Sequence, residues 1–174
     1  MIEWRSEEKS SQAEAAWESL SESEKEEAKR AASKAMQLLL YRQRTEKELR
    51  KKLKEKEFSE TAVDAAISYV ASYGYLDDRK YAEVYLHSMR DKKSRSMIRR
   101  ELREKGVAEE YIEEAFEAEP DDEENIVWQL LCKKAGEPHK MEEKELRRAA
   151  AYLGRKGFSS AAIWKQIRRY QENE

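Results

Sequence analysis

The sequence predicts an all-α protein of three tandem three-helix repeats, forming an elongated, curved array behind a polar N-terminal extension. Three observations carry that expectation. Five glycines and two prolines in 174 residues are too few for a sheet-rich chain, because turns between strands lean on both residue types. Charged residues reach 41%, against about 25% in an ordinary globular protein, and the helix formers Ala, Leu, Glu, Lys and Arg dominate the composition. The third observation is an internal repeat. Thr45, Leu49, Leu53, Lys56 and Phe58 recur as Ser94, Ile98, Leu102, Lys105 and Val107, and again as Glu145, Ala149, Leu153, Lys156 and Phe158, at periods of 49 and 51 residues. Val63 and Ile67 of the following helix are matched by Ile112 and Phe116, then by Ile163 and Ile167.

Each repeat reads as three helices with recognisable starts and stops. The first helix runs from about Glu24 to Arg42, with Ala35, Leu38, Leu39 and Ala31 on one face and Ser21 or Ser23 as its cap. Thr45 caps the second helix, with Glu48 reaching back in a capping box. Ser59 or Thr61 opens the third, which ends at Gly74, a C-cap glycine. In the second repeat Asp77 or Asp78 caps the first helix, and the next runs from Ser94 to Gly106. In the third, a helix over about Asp122–Lys134 is broken by Gly136 and Pro138, the next ends at Gly157, and Ser159 or Ser160 caps the last. The expected boundaries are an acidic extension over 1–22 and repeats over 23–73, 74–118 and 119–174. A unit of roughly 50 residues is a marginal core by itself. The units are therefore expected to share burial, with a radius of gyration above the roughly 16 Å of a compact chain of this length.

A single cysteine excludes an intramolecular disulfide framework. No apolar run is long enough to cross a bilayer, and Met1–Lys9 lacks a signal-peptide layout. The expectation is a soluble, cytoplasmic monomer. Cys132, His87 and His139 match no zinc spacing, and the glycines form neither a Walker loop nor a dinucleotide fingerprint. No cofactor, no metal and no enzymatic activity are expected.

The net charge of −2 hides a segregated pattern. Residues 1–28 hold three bases and nine acids, 30–72 hold ten bases and six acids, and Arg90–Lys105 holds eight bases and three acids. The middle helices of the first two repeats carry bases at matching offsets: Arg50 and Arg99, Lys51 and Arg100, Lys54 and Arg103, Lys56 and Lys105. Arg95 precedes the second set. Spacings of three and four put such side chains on one helix face. One reading is the footprint of a phosphate backbone or an acidic protein groove. The other is a solvated face balanced by Glu48, Glu55, Glu101 and Glu104.

The segment Gly74-Tyr75-Leu76-Asp77-Asp78-Arg79-Lys80-Tyr81-Ala82 resembles a signature of the RecX regulatory proteins of bacteria. Ile98-Arg99-Arg100-Glu101-Leu102-Arg103-Glu104-Lys105-Gly106-Val107 and the Glu48-Leu49 to Phe58 helix are similar to that family too. The resemblance covers about residues 30–170 and implies tandem three-helix repeats. It also implies a modulator of the RecA recombinase that lies in the groove of the RecA filament on single-stranded DNA, inhibits ATPase activity and strand exchange, and limits filament growth. Such a protein is cytoplasmic and has no catalytic site. Direct binding to single-stranded DNA is expected to be weak. Two alternatives stay open on the residues alone: a helical protein that binds duplex DNA directly, and a protein-interaction scaffold without nucleic acid.

Tyr75, Tyr81 and Tyr85 flank the Asp77–Asp78 pair. They are read as packing, with Leu76 and Ala82, at the junction of the first two repeats while an aspartate caps the helix; the alternative is an aromatic partner surface. Trp4 and Trp17 in the polar N-terminal stretch either pack on the first repeat or await a partner. Trp128 and Trp164 are expected in the core of the third repeat, and Cys132 as a small buried hydrophobe.

Overall fold

The computed structural model describes residues 17–172. Trp4 and most of the acidic extension lie outside the described residues. Nine helices run wholly within the described residues: α1 Glu22–Tyr41, α2 Glu46–Lys54, α3 Glu60–Ser72, α4 Asp78–Met89, α5 Arg95–Glu104, α6 Glu109–Glu117, α7 Glu123–Ala135, α8 Glu143–Arg155 and α9 Ser160–Glu172. Among the described residues there is no strand. No helix there is long and apolar enough to cross a membrane.

Local chemistry sets the helix starts. Ser21 caps α1 by accepting from the Glu24 N–H, while Glu24 accepts from the Ser21 N–H at 2.9 Å. Thr45 and Glu48 build the same reciprocal box on α2. Asp77 accepts from the Lys80 N–H at 3.0 Å. Ser59, Ser94 and Ser159 each accept from the N–H three residues on, at 3.2 Å. Each bond satisfies one of the orphan donors of a first turn, at about 1 kcal/mol. The third repeat departs from the expected start: α8 begins two residues before Glu145, with Glu142 as a cap that makes no side-chain bond. Without a hydroxyl at 145, the helix runs back toward Met141, and Glu145 instead takes the His139 Nε2 at 3.1 Å.

By their internal contacts the described residues divide into two units, one running up to residue 82 and including 105–111, the other of 83–104 and the residues from 112 on. In the first, α1 lies along α3. Ala28, Ala31, Ala35, Ala62, Val63, Ala66 and Val70 are buried between them, and Leu49 and Leu53 of α2 close the cluster. In the second, Val127, Leu131, Leu153, Ile163, Ile167 and Tyr170 are buried within the third repeat, and Leu86, Ile98, Leu102 and Ile112 lie at 0–1% exposure. The repeat offsets thus mark core positions. Each such Leu or Ile contributes roughly 1.5–3 kcal/mol by leaving water.

The caps of the middle helices also join repeats. Within the first unit, the Thr45 hydroxyl donates to the Lys105 carbonyl at 2.6 Å. Within the second, the Ser94 N–H donates to the Lys156 carbonyl at 2.9 Å, and the Ser96 hydroxyl to the Gly157 carbonyl at 3.3 Å. The turn that ends one middle helix therefore sits on the buried cap of the preceding repeat's middle helix. Both turns need glycine. Gly106 and Gly157 have φ of +86° and +89°. A Cβ on Gly106 would stand 2.6 Å from the Lys47 Cβ, and one on Gly157 2.7 Å from the Met97 Cβ.

Two expectations about aromatic residues are corrected. Trp164 is 47% exposed, because its position on α9 matches the outward-facing Asp64 of α3 and Glu113 of α6. Tyr75 is 55% exposed, whereas Leu76 and Ala82 are buried and Tyr81 is half-buried. Tyr85 is half-buried and donates its hydroxyl to Glu101 at 2.7 Å. Trp17 packs on the first cluster, edge-on to Tyr69 with ring centroids 6.0 Å apart. Trp128 and Cys132 are partly buried against the second cluster, and burial pushes the Cys132 thiol pKa up.

Candidate nucleic-acid and partner interface

In the first unit, one face of α2 turns toward the loop that carries the Leu76-Asp77-Asp78 motif. Lys47, Arg50, Lys51 and Lys54 line a cleft of about 960 Å³ whose far side is made by Leu76, Asp77, Asp78, Gly106, Ala108 and Tyr111. Cations predominate on one wall, and carboxylates with an aromatic ring occupy the other.

These cations are unequally committed. Arg50 donates to Glu46 at 2.7 Å and pairs with Asp64 of α3. Lys54 pairs with Glu60 at 2.7 Å. Lys51 and Lys56 are exposed. Lys105 pairs with Glu48 at 2.9 Å and stands 5.7 Å from the centre of the Tyr81 ring. Burial alone would push the Glu48 carboxyl up. The Lys105 ammonium and the Thr45 N–H outweigh it and hold the group below its ordinary value. Asp78 accepts from the Glu46 N–H at 2.9 Å, tying the motif to the first turn of α2. Burial pushes its carboxyl up, only partly offset by that bond.

In the second unit, Arg95 crosses the end of α6 and donates to the carbonyls of Phe116, Glu119 and Pro120 at 3.0, 3.3 and 3.2 Å. A guanidinium there satisfies orphan acceptors and suits the negative helix end. Arg99 pairs with Glu113 of α6 and stands 4.2 Å from the Phe116 ring centre. Arg100 is exposed, 3.6 Å from Glu104, and Arg103 is exposed as well.

The recurrence at Arg50 and Arg99 thus has a structural component. Each bridges its middle helix to an acid fourteen residues on, Asp64 and Glu113 respectively. The third repeat has Ala150 and Trp164 at those places. The more exposed members of the predicted set are Lys51, Lys54, Lys56, Arg100 and Arg103. Among the described residues no group of three or more metal-binding side chains gathers.

Sequence reasoning missed two features of the first unit. Arg44 is 8% exposed, and its buried Nε has no hydrogen-bond partner. Tyr69, Tyr73 and Tyr75 form a row, with ring centroids 4.9 and 6.4 Å apart. The signal for the first was available: Arg44 precedes the Thr45 cap, where an apolar residue usually staples onto the helix.

Comparison with known proteins places this architecture. Models of the first, second and third three-helix domains of RecX match residues 31–69, 77–115 and 121–167. The chain is 32% identical over 139 residues to the regulatory protein RecX of Clostridium perfringens, covering 75% of this chain and 64% of that one, so it spans slightly under two thirds of that relative's length. It is 33% identical over 129 residues to the regulatory protein RecX of Vibrio vulnificus, covering 74% of this chain and 84% of the relative. The crystal structure of RecX from Lactobacillus salivarius superposes with a TM-score of 0.67 at 24% identity, over 83% of this chain and 97% of that one, a likeness of fold.

Proposed function

Because the chain belongs to the RecX family of bacterial regulatory proteins, we propose that it is a negative regulator of homologous recombination that binds the RecA–single-stranded DNA filament and inhibits its ATPase, extension and strand exchange. The observation that carries this reading is the match of all three three-helix domains in order. The exposed cations of α2 and α5 support it. A filament of DNA and protein offers phosphates and acidic grooves, and cations on a helix face bind these with a strong salt dependence. The protein acts by occupancy, as a monomer in the cytoplasm, with no cofactor and no catalytic step. Its repeats span 23–73, 74–118 and 119–174, and the Leu76–Ala82 part of the motif holds the first two together.

The test is the single-stranded-DNA-dependent ATPase of RecA, with this protein titrated in below the RecA concentration, beside a Lys51→Glu, Lys54→Glu variant. Both side chains are exposed. The Lys54–Glu60 pair, at 49% and 68% side-chain exposure, is of the kind worth only about 0–1 kcal/mol, so the variant keeps its fold. Slowed hydrolysis with wild type and weaker inhibition by the variant is the expected result. A rate that stays flat at every ratio overturns the reading.

A further inference from the structure

We propose that the recess around Arg44 binds a backbone phosphate of a single-stranded nucleic acid whose bases lie against the Tyr75–Tyr73–Tyr69 row. Arg44 sits in the link between α1 and α2. It is 92% buried by its 8% exposure, and its enclosed Nε has no hydrogen-bond partner. Burying a donor without a partner is unfavourable, and buried donors are normally paired. By contrast, each arginine that the sequence placed on the basic face has an acid, a carbonyl or a side-chain partner.

Arg44 lines a recess of about 90 Å³ with Gln43, Gly74, Tyr75, Lys80 and Tyr81. Pockets that take whole drug-sized ligands run to roughly 300–1,000 Å³, so this one suits a single oxyanion. Arg44 and Lys80 supply two cations, and Gln43 adds amide donors. Asp77 also lines the recess, but its Oδ1 is occupied by the Lys80 N–H, so two cations face one carboxylate.

The neighbouring surface chooses among anions. Tyr75 belongs both to the recess and to the aromatic row. Tyr73 and Tyr75 are 63% and 55% exposed. A phosphate-sized cationic recess continuing into exposed rings is the combination that binds single strands, since every base has a face that stacks on an aromatic side chain whatever the sequence. A carboxylate from an acidic polypeptide would use the recess and leave the rings idle.

The inference rests on the filament reading and deepens it by giving the strand a place on this chain. Its test omits RecA, so either can fail alone. The full chain is titrated against a fluorescent single-stranded oligothymidine, an abasic oligonucleotide of equal length, and polyglutamate, at several salt concentrations. Arg44→Met is expected to weaken oligothymidine binding about fivefold or more and to lower the salt slope by roughly 0.7, the value for one phosphate on a single strand. Its melting temperature should stay level or rise, because a buried donor without a partner has been removed. Tyr73→Ala with Tyr75→Ala should weaken binding at an unchanged slope, and wild type should bind the abasic strand several-fold more weakly. Four results overturn the inference: unchanged oligothymidine binding by Arg44→Met, loss of its fold, loss of polyglutamate binding alone, or equal binding of the abasic strand.

Discussion

Replacing Gly106 by alanine tests the joint between the first two repeats. Two penalties add. At φ +86° an L-residue costs about 1–2 kcal/mol relative to glycine. The new Cβ would also lie 2.5 Å from the Lys47 Cδ and 2.6 Å from its Cβ. The second atom is fixed to the backbone of α2 and cannot swing aside. Overpacking of this kind costs about 1–3 kcal/mol, so Gly106→Ala should lose about 2–5 kcal/mol, as should Gly157→Ala against Met97. Gly74 shares the left-handed conformation, at φ +71°, but has nothing within 4 Å of its Cβ direction, so Gly74→Ala should lose only the first penalty. The first repeat supplies the converse. Glu57 occupies the place of Gly106 and Gly157, at φ +62°, and Glu57→Gly should gain up to about 1 kcal/mol, the relief of left-handed strain less the entropy glycine adds to the unfolded chain. Urea unfolding followed by circular dichroism at 222 nm measures all four. If Gly106→Ala and Gly74→Ala lose the same stability within about 0.5 kcal/mol, the docking argument is wrong.

Glu48 has a carboxyl pKa below its ordinary 4.5 in the fold; such a group adds stability above the unfolded value and loses it as pH falls through the folded one. Lys105→Met should therefore cost about 1–3 kcal/mol at pH 7, with a deficit that shrinks in acid; an equal deficit at pH 3 and pH 7 refutes this. Asp78 has the opposite sign, raised above 3.8, so its burial penalty applies above the folded pKa and is relieved as pH falls toward the unfolded one. Asp78→Asn keeps an acceptor for the Glu46 N–H and should leave the pH 7 stability level or up to about 1 kcal/mol higher; a larger loss in thermal unfolding shows the charge to be needed. Installing the missing bridge in the third repeat, with Ala150→Arg and Trp164→Glu, should gain about 0.2–1 kcal/mol, and a double-mutant cycle that finds no coupling shows the two positions do not meet there.

Much of the fold was legible because its determinants are local or periodic. Ser21–Glu24 and Thr45–Glu48 announce themselves by residue type at a spacing of three, and Leu49, Ile98 and Ala149 line up by repeat offset and are all buried. Charge was harder to read. The recurring Arg50 and Arg99 looked like a surface stripe, yet each faces an acid on the next helix, a meeting that depends on how α2 packs on α3 and α5 on α6. Trp164 looked like core because tryptophan usually is; only the alignment with Asp64 and Glu113 shows that its position faces outward. Arg44 escaped attention because a charged residue stands where an apolar one often staples onto a helix, just before the Thr45 cap, and only the position, not the residue type, marks it off from Arg42.

The cap-to-turn joint has a plug and a socket. The plug is a glycine turn, at 106 and 157; the socket is a buried hydroxyl, at 45 and 94. The second repeat carries both parts. The first has glutamate in its plug, at 57, and the third has glutamate at its socket, position 145. A duplicate of the second repeat inserted between the second and third would therefore find a matching partner on each side. A copy joined ahead of the first repeat would meet a side chain where the joint needs none, and one joined behind the third would meet a carboxylate where the joint needs a hydroxyl. Two residues, 57 and 145, are thus the sites at which to extend this array or to keep it from growing.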